Sequence, residues 1–412
     1  MAAGILKRYE DGAWLTPGLI AFASAIGLAV TVGNFAFLLA TATGTVDVLG
    51  RPIGTDFTSF WSAGRLALDG LAPQAYDWPT LRDAQVRLHG VELFYPWSYP
   101  PVFLAVAAGL ALLPYLPAVI VWQAATLLLA LRAFWMALPS RLALFAALGC
   151  PIVFVCLGHG QTGFLTAALL LGGVLALPRR EALAGVLFGL LVYKPQFGLL
   201  IPLVLAVGGY WRAIATAGVT AIAAIGLTLA LWGWPVWQAF LSSIQSTQAI
   251  VLDGGGAGFE KFQSAFAWVR LCGGPVTAAY ALQTLVTLLV AVGCAWIWRQ
   301  QVSMRLKGAA LLVGALLSTP YVLDYSLVVL GMAIALLVAH GLEEGFAPWE
   351  KTVLALAWLA PSGGRAVVKL VPLPIGFLLL VGVFAFVVGH VRAERVPKTA
   401  RLAVRIPSAA RA

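Results

Sequence analysis

Few residues in this chain are equipped for chemistry. The stretch Gly54-Thr55-Asp56-Phe57-Thr58-Ser59-Phe60-Trp61 opens the first long polar segment and sets one carboxylate among hydroxyls and aromatics. Asp56 has two readings. An aspartate before a helical run is a favoured N-cap. A carboxylate at the lip of an apolar cavity also suits general-base work, because its surroundings tune its pKa. Lys194-Pro195 interrupts the apolar run from Ala184 to Leu205. Such a lysine either snorkels at a helix end or holds a phosphate as a point charge. Gly158-His159-Gly160-Gln161 lies between two apolar runs. His159 and Gln161 suit a phosphate or a sugar hydroxyl, and equally make an ordinary polar turn. Asp324, between Tyr321 and Tyr325, either lines the same cavity or caps a helix. Arg270, Arg365 and Lys369 are further cations able to meet a lipid phosphate. His89, His340 and His390 read as ordinary surface or interface histidines. Asp253-Gly254-Gly255-Gly256-Ala257-Gly258 reads as a mobile loop of the kind used as a lid. No Ser-His-Asp arrangement, dinucleotide fingerprint or Walker sequence occurs. Cys150, Cys156, Cys272 and Cys294 have neither metal-ligand nor disulfide spacing.

The elements that position these residues are membrane helices. The 412 residues are 61% hydrophobic and 10% charged, where a soluble domain is about a quarter charged. Lipid offers backbone groups no partner, so helices are the default. The expectation is an all-α polytopic membrane protein of about twelve transmembrane helices. Residues 1–391 form one domain and 392–412 a basic, disordered cytoplasmic tail. Residues 43–100 and 233–275 are the outer loops. The first carries a helix from Phe57 to Leu68 lying along the membrane surface, its aromatics at headgroup depth, and a second short helix at 79–89. Tyr95 to Pro101, with three prolines, is a rigid extended turn. Residues 102–113 are short for a span and read as re-entrant or as a half-helix, the charge distribution favouring re-entrant.

Charge sets the orientation. With both termini inside, Lys7, Arg8, Arg132, Arg141, Arg179, Arg180, Arg212, Arg299, Arg305, Lys307, Lys351 and the tail put most of the 26 basic residues in the cytoplasm. The net charge of +10 is thereby explained without nucleic acid. Asp56, His159, Lys194, residues 233–275 and Asp324 then collect at the outer face. A transporter would place its ionisable groups near the midplane on interrupted helices.

The order of motifs resembles a known family. Asp56-Phe57 is followed by Trp61-Ser62-Ala63-Gly64-Arg65, Gly70 and Ala75-Tyr76-Asp77. Tyr99-Pro100-Pro101, Leu113-Pro114, Trp122, Gly160-Gln161, Ala184-Gly185 and Lys194-Pro195 continue it. Over about residues 55–340 this resembles glycosyltransferase family 87, the bacterial membrane enzymes typified by mannosyltransferases of phosphatidylinositol mannoside synthesis. The resemblance implies a GT-C-like bundle and inverting transfer from a polyprenyl-phosphate-sugar, such as the mannose donor, to a lipid or glycan acceptor. It implies Asp56 as the base, at the outer face of the bacterial inner membrane. Lys194, His159 and Arg270 are then expected at the donor phosphate, and Trp61, Tyr99, Gln161, Tyr321 and Asp324 along the substrates. The loop holds a single Asp-Phe, Asp56-Phe57, rather than an acidic pair, which argues against a carboxylate metal site. Neither metal nor cofactor is expected. Two other functions are weighed: a lipid or sugar transporter, and a polymerase or ligase of surface glycans.

Overall fold

A computed structural model describes residues 2–362 and 364–394. The tail expected at 392–412 lies almost wholly outside them. The described chain is helical, with only isolated β-bridges. Thr16 caps the first long helix, accepting from the Leu19 amide at 3.2 Å, and Pro17 begins it with φ already helical. At ~1.5 Å per residue, this 24-residue helix, Pro17–Ala40, is long enough to cross a ~30 Å hydrocarbon core.

Among the described residues six helices are long and apolar enough to cross a membrane, or eight if each of two bent pairs is one span. Twelve crossings exceed that number. The difference lies in helices that proline or glycine shortens. Pro151 bends Arg141–Leu148 against Pro151–His159 by 48°. Lys194 separates two short apolar helical segments, Glu181–Tyr193 and Pro195–Gly208. Gly233 (φ 69°) and Pro235 break the helix Trp211–Thr247, and the residues beyond 233, expected as a loop, stay helical as far as Asp253.

The first polar segment folds onto the bundle. Phe57–Leu68 and Trp78–His89 are helical, joined by a 3-10 turn at Ala72–Tyr76. Two of the three aromatics of Phe57–Leu68 point into the protein instead of toward headgroups. Phe57 and Phe60 are fully buried, and Phe60 meets Trp97, Tyr99, Phe103 and Trp122 edge to face at 5.1–6.2 Å. Each such pair adds roughly 0.5–1.5 kcal/mol beyond area burial. The ten-residue helix Pro101–Leu110 is too short to cross and packs against this layer. A Cβ at Gly64 would lie 2.1 Å from the Ala107 carbonyl oxygen, so the two backbones touch.

His89 and His340, expected with His390 at the surface or an interface, are buried, and His390 is half-buried. His89 bonds Thr45 and Thr58 through its two ring nitrogens, and burial pushes its pKa down to about 4. His390 lies 2.8 Å from fully buried Glu350, with the His340 ring 5.0 Å away.

Candidate active site

Gly54 and Thr55 both have positive φ, 79° and 23°. A β-branched residue resists that conformation, and the Thr55 hydroxyl is tied down 3.1 Å from His159 Nδ1. The turn delivers Asp56 in helical backbone geometry, but its side chain makes no capping hydrogen bond. Capping is therefore not its work. The carboxylate faces a cavity of about 210 Å³.

The turn Gly158–Gln161 presses against this loop. Gly160 has φ +62°, and a Cβ there would fall 2.6 Å from Phe57 Cβ and 2.7 Å from the Gly54 carbonyl oxygen. Only glycine fits. The turn brings Gln161 Nε2 to Asp56 Oδ2 at 2.9 Å, with His159 Nδ1 at 3.7 Å. Burial alone would raise the Asp56 carboxyl. The hydrogen bonds of His159 and of the Gln161 amide, with the more distant charge of Lys261, outweigh it, so the pKa falls below the usual value. Asp56 is thus ionised at neutral pH and able to take a proton.

Lys194 lines the same cavity. It is 4% exposed. Its ammonium donates to Thr162 Oγ1 at 2.9 Å and sits 5.1 Å from the Tyr325 ring, 5.4 Å from Phe197 and 5.9 Å from Tyr99. An ammonium has three protons to give, and among the described residues no carboxylate pairs with this one. Burial pushes its pKa down to about 7. Rings stabilise a cation, yet a desolvated charge still calls for an anion.

A hydrogen-bonded chain joins the two charges. Gln161 Oε1 accepts from Tyr99 Oη at 2.8 Å, Tyr99 Oη lies 3.4 Å from Thr162 Oγ1, and Thr162 accepts from Lys194. Tyr321 and Tyr325 also line the cavity, and Ala257 brings the glycine-rich stretch to its wall.

Five of the expected site residues therefore meet: Asp56, Tyr99, Gln161, Lys194 and Tyr321. Four stand elsewhere. Arg270 donates to the Gly274 and Asp253 carbonyls and braces its own loop. Trp61 donates to the Leu113 carbonyl at 2.9 Å, because it lies one helical step round from the buried Phe60. Asp324 is buried behind the site, paired with Arg365 and accepting from the Tyr325 amide. His159 stands beside Asp56 rather than at Lys194, on a second cavity of about 490 Å³ with Arg365 and Arg51. Thr162 had no signal of its own, and Arg365 stood out only as an unplaced cation.

The model of glycosyltransferase family 87 matches residues 97–323. Tyr99, His159, Gln161, Lys194 and Tyr321 fall within that range and Asp56 precedes it. No curated protein and no solved structure matches the chain.

Proposed function

The chain belongs to glycosyltransferase family 87, and from that premise we propose that it transfers a sugar, most simply mannose, with inversion from a polyprenyl-phosphate donor to a hydroxyl of a lipid or glycan acceptor. One observation carries this reading. An ionised carboxylate and a buried ammonium that no carboxylate pairs with among the described residues line one cavity.

In this reaction Asp56 accepts the acceptor's hydroxyl proton. The oxygen attacks the anomeric carbon from the face opposite the phosphate. The bond from that carbon to the phosphate oxygen breaks, and its electron pair leaves on the phosphate. Lys194 meets the charge that develops there, and such preorganised charge is usually the largest catalytic contribution. Gln161 and Tyr99 hold Asp56 and the cavity wall in register. Neither a nucleotide nor a metal enters the scheme. The distribution of basic residues supports an orientation with both termini inside and the cavity at the outer face of a bacterial inner membrane.

The test supplies purified protein with radiolabelled polyprenyl-phosphate-mannose and a membrane lipid extract. Label passes to a new product with wild-type protein. With Asp56→Asn, transfer falls by at least ~100-fold, the loss typical of a missing general base, while thermal melting is unchanged because no cap is lost. An Asp56→Asn protein that melts normally and transfers at the wild-type rate removes Asp56 from the mechanism.

A further inference from the structure

Arg365 reaches the site from a distant part of the chain. Its Nη2 lies 2.9 Å from His159 Nε2. A guanidinium has no acceptor and does not lose its proton, so Nε2 must be the acceptor and carry no hydrogen. The ring proton then sits on Nδ1, the nitrogen facing Thr55 and Asp56. The neighbouring bonds agree. Thr55 Oγ1 accepts from Nδ1–H and is left free to donate to the Gly158 carbonyl at 3.4 Å. On its other side the guanidinium is aimed by Asp324, whose second oxygen is held by the Tyr325 amide.

We infer that Arg365 is a positioning residue for the base: by donating to His159 Nε2 it holds the imidazole in the tautomer that presents Nδ1–H to Thr55 and Asp56. This rests on the reading of Asp56 as the base. The opposite tautomer would turn a nitrogen lone pair toward the carboxylate and withdraw a favourable dipole from it. Asp324, by aiming the guanidinium, belongs to the same device. The charged groups around the ring are Asp56 and Arg365, with Asp324 behind, Lys261 acting on Asp56 from its loop, and Arg51 and Asp47 on the shared cavity.

The tautomer can be read without catalysis. The chain has only four histidines, so ring-¹⁵N-labelled protein gives few signals, and His159→Asn assigns the one that matters. Wild type should show a protonated Nδ1 at His159, and Arg365→Met a mixture of tautomers. A wild-type ring protonated on Nε2 overturns the inference, whatever the protein's activity.

Kinetics give the second arm, on the full chain. Arg365→Met should lower kcat about tenfold, as for a misplaced base, move the acid limb of the pH profile toward neutrality, and leave the donor KM within about twofold. Arg365→Lys also offers only donors and should restore part of the loss. In His159→Asn the side-chain amide can stand where Nδ1–H stood but cannot reach Arg365. Adding Arg365→Met to His159→Asn should therefore cost little more, a non-additivity that marks one shared path. Full additivity, or a raised donor KM with an unmoved acid limb, would mean that Arg365 contacts a substrate phosphate instead. If neither wild type nor Asp56→Asn transfers sugar, the glycosyltransferase reading fails, and the tautomer measurement still decides the role of Arg365.

Discussion

The Tyr99 hydroxyl donates to Gln161 Oε1 at 2.8 Å, and that bond fixes which end of the amide faces Asp56. With its oxygen taken by Tyr99 and the Thr162 amide, Gln161 must offer its NH₂ to the carboxylate. Gln161→Glu keeps the shape and puts a second carboxylate at the same 2.9 Å. Two carboxylates so close cannot both ionise, so one pKa rises strongly. The acid limb of the transfer rate should move up by about one pH unit or more, with melting little changed. An unmoved profile would mean that Asp56 is not the titrating base.

The loss of Asp56→Asn should fall on chemistry rather than on donor binding. Tryptophan fluorescence with unlabelled donor should give wild-type affinity for this variant. Loss of binding would instead make the carboxylate part of the donor pocket.

Lys194 predicts a pH dependence of opposite sign. Burial holds it at about 7 in the empty site. A bound phosphate favours the ammonium and raises that value, so above neutrality donor binding must take up a proton. Donor KM should be flat below about pH 7 and rise by up to about tenfold per unit above it. Asp56 stays ionised over that window and contributes nothing to the slope. A donor KM that stays flat through about pH 9 would refute the assignment. Lys194→Ala should weaken donor use more than acceptor use. Lys194→Arg should rescue only in part, since a planar fork replaces a point charge.

Gly64 predicts stability. Its Cβ would strike the Ala107 backbone, which cannot move aside as a flexible side chain would. Gly64→Ala should cost about 1–3 kcal/mol, the usual range for overpacking, and lower the melting temperature. Gly109 has open space around its Cα, so Gly109→Ala should be neutral or slightly stabilising. Equal melting of the two variants would show that the helices Phe57–Leu68 and Pro101–Leu110 do not pack as described.

Orientation can be checked in whole cells. A cysteine at exposed Asp83 should react with an impermeant maleimide in a cysteine-free background, and one at exposed Gln301 should not. The reverse pattern would turn the cavity to the cytoplasm.

The site was readable where a residue's cost shows in the sequence. Lys194 is conspicuous because a cation inside an apolar run is expensive, and Asp56 because an acid beside a membrane helix needs a reason. Gln161 came with its glycine. Facing was not readable at that level: Trp61 and Phe60 are adjacent and both aromatic, and only the packed structure shows which turns inward. Arg365 could not be placed, because nothing in the spacing ties it to His159, some two hundred positions earlier. The described residues show fewer helices long enough to span than the twelve expected, because an apolar run looks alike in sequence whether it is one helix or broken, and Pro151, Pro195 and Gly233 interrupt such runs.

The ammonium of Lys194 also bears on turnover. On the proposed reaction the donor is a phosphodiester with one negative charge. What remains after transfer is a phosphate monoester, whose second ionisation near pH ~6 gives it a charge of about −1.5 to −2 at neutrality. The same unpaired cation therefore grips the spent carrier lipid harder than the fresh one. Chemistry leaves the enzyme holding its own inhibitor, a tighter-bound product that must leave before the next turnover. The carrier lipid alone should then compete with the donor, and turnover in a membrane would follow how fast spent carrier is drawn away.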